Sequence, residues 1–110
     1  MKTVPVALQL YTVRDQMARS VADTLRAVKA AGYDHVEPAG LFGLSGDDFR
    51  AALDDAGLRA VSAHVALAEF GSDPAATVAV YKKLGCKYLV VPYLPEEMRY
   101  GTPRFAQVLQ

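Results

Sequence analysis

Three polar residues sit in apolar company where chemistry could be done. Glu37 lies between Val36 and Pro38, His64 falls near the end of Val61-Ser62-Ala63-His64-Val65, and Gln9 separates Leu8 from Leu10. A carboxylate in such surroundings requires a cation, a metal or a strong hydrogen-bond donor. A neutral imidazole can bind a metal, shuttle a proton or hydrogen-bond a hydroxyl. Gln9 either supports these two or satisfies a backbone group near the first loop. Period-two alternation puts Ser62 on the face of His64, and His35 on the face of Glu37 one layer deeper, where a satisfied core histidine is the simpler reading. Arg14 can be a phosphate or carboxylate partner, or an ordinary solvated loop arginine. One Glu and one His do not make a metal site, since a catalytic divalent ion takes three or more protein ligands. The remaining acids are explained locally. Asp23, Asp47, Asp48, Asp54 and Asp55 belong to helix starts and polar helix faces, Asp73 to a cap, and Glu69, Glu96 and Glu97 to loops. No Ser-His-Asp spacing, GxSxG, CxxC or P-loop is present.

The elements that must position these residues repeat. Ala31-Gly32-Tyr33, Ala56-Gly57-Leu58 and Leu84-Gly85-Cys86 each close a helical stretch and open a strand-like one, with the glycines 25 and 28 residues apart. That is the length of one strand-plus-helix unit. Val4, Val6, Leu8 and Leu10 alternate and predict the first strand. Ser20, with Asp23 as its capping box, starts a helix striped by Val21, Leu25 and Val28. Asp34 to Pro38 is the second strand, stopped by the proline. Ser45 and Asp48 cap a helix whose Phe49, Ala52, Leu53 and Ala56 share a face. Gly40 and Gly43 before it suggest a mobile apolar loop rather than a phosphate nest. Leu58 to Val65 is the third strand, and Asp73-Pro74 opens a helix carrying Val78, Tyr81 and Leu84. Lys87 to Tyr93 is the fourth strand with Leu89-Val90-Val91 as its apolar centre, and Thr102-Pro103 opens a short helix striped by Phe105, Val108 and Leu109.

The order is βαβαβαβα without hairpin signals, so the strands should run parallel with right-handed crossovers. The fold class is α/β, and residues 1–110 form a single domain with no internal linker. A doubly wound nucleotide-binding sheet normally has a glycine-rich turn after its first strand. Here that turn is Tyr11-Thr12-Val13-Arg14-Asp15, which has no glycine. In parallel βα architectures ligands gather at the carboxyl ends of the strands. Gln9, Glu37 and His64 are therefore expected on one rim.

Composition narrows the partners. The hydrophobic fraction of 52% against 22% charged residues is globular, not disordered. Twelve basic and twelve acidic residues cancel, which argues against a nucleic-acid surface or an electrostatic membrane anchor. The pair Lys82-Lys83 reads as a solvated helix face. Cys86 is the lone cysteine, cannot form an internal disulfide, and reads as a buried structural thiol in a reducing compartment. Lys2 precedes an apolar run from Val4, but Pro5 and Gln9 interrupt it. No signal peptide or membrane span is expected, and the cytoplasm is the expected location.

Leu8-Gln9-Leu10-Tyr11-Thr12-Val13-Arg14-Asp15, Gly32-Tyr33 through Val36-Glu37, Phe49 to Leu58, Ser62-Ala63-His64 and Gly85 to Pro92 resemble the start of sugar phosphate isomerases/epimerases of the xylose isomerase-like TIM-barrel group. The resemblance implies four βα units of a parallel (β/α)8 barrel, a truncated half. It implies a metal-dependent proton transfer beside a sugar carbonyl, with Mn²⁺ or Mg²⁺ in the complete protein. The implied substrate is a small sugar or an inositol derivative. Glu37, His64 and Gln9 would line the substrate pocket, while metal ligands and acid–base glutamates would come from later strands. The chain alone is then expected to be inactive, to hold no metal tightly, and to need either its missing half or a second copy as a dimer to close the sheet.

Overall fold

Alternation and capping residues set most of the elements. A computed structural model of the chain describes residues 3–110, so Lys2 lies outside the described residues. Strand β1 (Ala7–Gln9) leads through a 3-10 turn (Leu10–Val13) into helices α1 (Arg14–Arg19) and α2 (Val21–Ala30). Strand β2 (His35–Glu37) and helix α3 (Gly46–Ala56) follow, then strands β3 (Arg59–Ala60) and β4 (Ser62–His64), a 3-10 turn (Leu67–Phe70) and helix α4 (Pro74–Lys83). Strand β5 (Tyr88–Val90), a 3-10 turn (Glu96–Met98) and helix α5 (Phe105–Val108) complete the chain.

The predicted caps form. Ser20 Oγ accepts from the Asp23 amide at 3.2 Å, Ser45 Oγ from Asp48 at 3.1 Å, and an Asp73 carboxylate oxygen from Ala76 at 3.1 Å. Each satisfies an amide that the first helical turn leaves without a carbonyl partner. Gly57 ends α3 at φ 75°, a left-handed conformation that favours glycine.

All strand pairings are parallel. Gln9 lies opposite Glu37, Val36 opposite Ala60, and His64 opposite Val90. The sheet falls into two pieces, β1-β2-β3 and β4-β5, joined where Ala39 bridges to His64. Its outer face packs on the helices: Val36, Ala60 and Ala63 are buried with Leu10, Met17, Leu25, Phe49, Leu53 and Tyr81. The opposite face carries Gln9, Glu37, Ser62 and His64.

Five expectations need correction. The predicted single strand from Leu58 to Val65 is divided at Val61. The three steps from Val36 to Ala39 are matched by four from Ala60 to His64, so one extra residue sits on the second side. This bulge resets the alternation, and Ala60 and Ala63, an odd number of positions apart, both face the helices. The first strand is three residues long rather than seven, and the supposed loop after it is helical, with Met17 buried as the anchor of α1. The centre of the fourth strand is not buried: Val90 is 41% and Val91 37% exposed. Val78 and Leu109, expected on buried stripes, are also exposed, because α4 rests on Tyr81 and Leu84 and α5 has only four residues.

Candidate functional site

Glu37 is the centre of a polar cluster at the carboxyl ends of the strands. The register of β1 and β2 sets Gln9 directly beside it. Gln9 uses both ends of its amide: Oε1 accepts from the Tyr11 backbone at 3.0 Å, and Nε2 donates to Glu37 Oε1 at 2.5 Å. The first bond caps the 3-10 turn and turns the NH2 group towards the carboxylate. Ser62 Oγ donates to Glu37 Oε2 from the other side. His64 Nε2 lies 3.2 Å from Glu37 Oε1. Its main chain is tied to the end of β2, with its amide donating to the Pro38 carbonyl at 2.8 Å and its carbonyl accepting from Gly40 at 3.2 Å.

The structure thus brings Gln9, Glu37 and His64 together on one rim, as expected from the strand ends. The demand of Glu37 for a strong donor is met by two neutral groups, one on each oxygen, rather than by a lysine or arginine. The side chains of Glu37 and His64 are 23% and 32% exposed, so the cluster is half-buried but open on one side. Ser62 was legible only as a same-face neighbour of His64; its direct bond to Glu37 depends on the bulge at Val61. Arg14 is not at the rim as a free cation. Its guanidinium stacks over the Tyr11 ring at 4.3 Å and donates to the Tyr11 carbonyl at 3.0 Å.

A separate cleft of about 910 Å³ is lined by His35, Arg59, Gly85, Lys87 and Tyr88 among others. It lies at the opposite, amino ends of the strands and reaches the cluster only at Ser62. The hydrogen-bonded cluster is the better candidate site, because ligands of parallel sheets gather at the carboxyl ends. Below the rim, Cys86 is half-buried, and its thiol is pushed up to about 11, chiefly by burial and secondarily by the negative charge of Glu37. That agrees with an inert structural thiol. Glu69 follows the rim on the turn after β4 and accepts from the buried Tyr81 hydroxyl at 3.0 Å, which ties that turn to α4. Burial first, and the Glu69 carboxylate second, raise the Tyr81 phenol above its usual range.

Among solved structures, the chain is similar to a sugar phosphate isomerase/epimerase from Parabacteroides distasonis ATCC 8503. The TM-score is 0.69 and the identity 23%, over 87% of this chain and 41% of that one. The fold is part of a TIM barrel. The match agrees with the resemblance read from the first strand onwards, and the chain spans about two fifths of that protein's length. No family model matches the chain, and neither does any curated protein. Among the described residues no group of three or more His, Cys, Asp or Glu is placed to hold a metal ion, so Glu37 and His64 by themselves do not fit one. No helix among the described residues is long and apolar enough to cross a membrane.

Proposed function

We propose that this chain forms one side of the substrate pocket of a sugar isomerase or epimerase that moves a proton beside a carbonyl. The observation that carries the reading is the Glu37 carboxylate, braced by Gln9 and Ser62 with His64 Nε2 at 3.2 Å, at the ligand-binding end of a barrel fold. In this reading Glu37 accepts hydrogen bonds from substrate hydroxyls, His64 hydrogen-bonds a neighbouring oxygen, and Gln9 keeps the carboxylate in place. The substrate is a small sugar or its phosphate, as the name of the Parabacteroides protein suggests, or an inositol derivative, as the sequence resemblance implies. A divalent ion such as Mn²⁺ or Mg²⁺ belongs to the proposal only with ligands from outside these 110 residues, and no step is derived through it. The 110 residues alone are then inactive. The lone Cys86 supports a reducing, cytoplasmic setting.

The test is incorporation of solvent deuterium. The protein, expressed from its complete reading frame with Mn²⁺, is incubated in D2O with a panel of aldoses, ketoses and their phosphates. Label is expected at the carbon next to the carbonyl, with His64→Ala and Glu37→Ala impaired by tenfold or more, on the order of 1.4 kcal/mol in the transition state. Absence of label from every sugar sinks the reaction class, and wild-type rates in both variants sink the assigned residues.

A second reading is favoured by the exposed residues at the sheet's edge strand, Tyr88 at 70% and Val90 at 41%. In it the chain is a non-catalytic half-barrel that pairs with another copy.

A further inference from the structure

The charge and hydrogen-bonding capacity of the rim limit which part of a substrate it can take. A carboxylate offers about four lone-pair sites and no donor. Gln9 Nε2 occupies one site on Oε1 of Glu37, with His64 Nε2 3.2 Å from the same oxygen, and Ser62 Oγ occupies one site on Oε2, which leaves open acceptor capacity chiefly on Oε2. Neither brace carries a charge. The cation closest in sequence to Gln9, Arg14, is held on the Tyr11 ring and carbonyl. Among the described residues no Lys or Arg forms an ion pair with Glu37, whose one ion-pair contact there is His64. A phosphate placed here would meet a carboxylate in a half-buried site without a compensating fixed cation, an arrangement electrostatics opposes. A hydroxyl would donate to Glu37 and could still accept from a donor at His64.

We infer that this rim is a hydroxyl-recognising, anion-rejecting subsite: it takes the neutral polyol portion of a substrate and turns any phosphate away. The inference deepens the isomerase reading and rests on it for the identity of the ligand as a sugar. It also adds a constraint, since a phosphorylated substrate must lie with its phosphate towards strands other than β1, β2 and β4.

The test uses the 15N-labelled chain and two probes, erythritol and inorganic phosphate, at equal concentrations. Erythritol is expected to shift the Gln9 side-chain amide and the Ser62 and His64 backbone signals saturably, while phosphate leaves them in place. In Glu37→Gln, which keeps the side chain's shape, erythritol should bind roughly tenfold more weakly, the scale of losing a hydrogen bond to a charged acceptor. The same variant should let phosphate begin to shift these signals. Ser20 and Ser45 amide signals, on remote caps, report that the variant is folded. Phosphate shifting the wild-type rim as strongly as erythritol overturns the inference, as does erythritol leaving the rim unmoved. Selective polyol binding combined with no deuterium incorporation would leave the subsite standing and remove the isomerase. Turnover combined with phosphate seated on Glu37 would do the reverse.

Discussion

At the residue scale, Glu37 was the most legible part of the site because its surroundings made a demand. A carboxylate between valine and proline in a short strand has to be answered, and Gln9 and Ser62 answer it. The identity of those partners was less legible. It depends on register, and the register between β2 and its neighbour changes at Val61, which no local pattern announces. Cys86, expected as a buried thiol at a helix-to-strand turn, is half-buried, and its environment carries a pH consequence. Its thiol is raised from 9.0 to about 11 in the folded chain, first by burial and then by Glu37. Between those two values the unfolded chain has released a proton that the folded chain still binds, so stability falls as pH rises from about 9 towards 11 and is unaffected below. Urea titrations of Cys86→Ala should lose the Cys86 part of this slope and keep only the contribution of Tyr81, which has the same sign. At pH 8, alkylation by iodoacetamide should be about 100-fold slower in the folded chain than in urea, following the thiolate fraction. Equal rates in the two states would show that the thiol is not buried as described.

At the element scale, caps and glycines were readable and strand lengths were not. Ser20, Ser45 and Asp73 each act on their own first turn, within three residues, so a linear pattern is enough to find them. The strands are three residues or fewer because their hydrogen bonds are shared with segments distant in sequence, and alternation overestimates them. Helix α1 is not legible in the sequence because it has no side-chain cap: Val13, at its N-cap position, makes none. One close approach between elements was invisible from the sequence. Gly46 begins α3, and a Cβ built on it would stand 2.8 Å from Val80 Cγ1 on α4. Replacing a glycine within a helix by alanine ordinarily stabilises, by up to about 1 kcal/mol. Here the valine is β-branched and stiff about χ1 in its helix, so it cannot simply swing away. Gly46→Ala should therefore destabilise by about 1 kcal/mol in urea unfolding, the lower end of overpacking costs. Val80→Ala should cost less stability in the Gly46→Ala background than in the wild type, because it removes the clash. A stabilised single variant would mean that α3 and α4 are further apart than this contact requires.

At the scale of the whole molecule, the chain is more open than its size predicts. Its radius of gyration is 15.3 Å, against about 13 Å for a compact domain of this length. Its accessible surface is 7493 Å², against about 5,900 Å² for a monomer of its mass. The difference exceeds the roughly 800 Å² that each partner contributes to an ordinary stable interface. It is concentrated in part on the side of the sheet away from the helices and along its edge, where Tyr88, Val90 and Val91 are exposed beside the bare hydrogen-bonding groups of β5. A parallel sheet is normally covered on both faces, and an uncovered apolar edge strand recruits another chain. The 110-residue chain should therefore sediment with a weight-average mass that increases with concentration. Val90→Lys places a charge on β5 where the native side chain is already 41% exposed, so folding tolerates it while edge pairing does not. That variant should sediment as a monomer with an unchanged far-UV spectrum. If the wild type remains monomeric at high concentration, self-pairing through β5 is excluded as the means of covering this face. If Val90→Lys associates as strongly as the wild type, the contact lies elsewhere on the molecule, and the β1 side, where Val4 and Val6 are 80% and 66% exposed, becomes the surface to test by the same substitution at Val6.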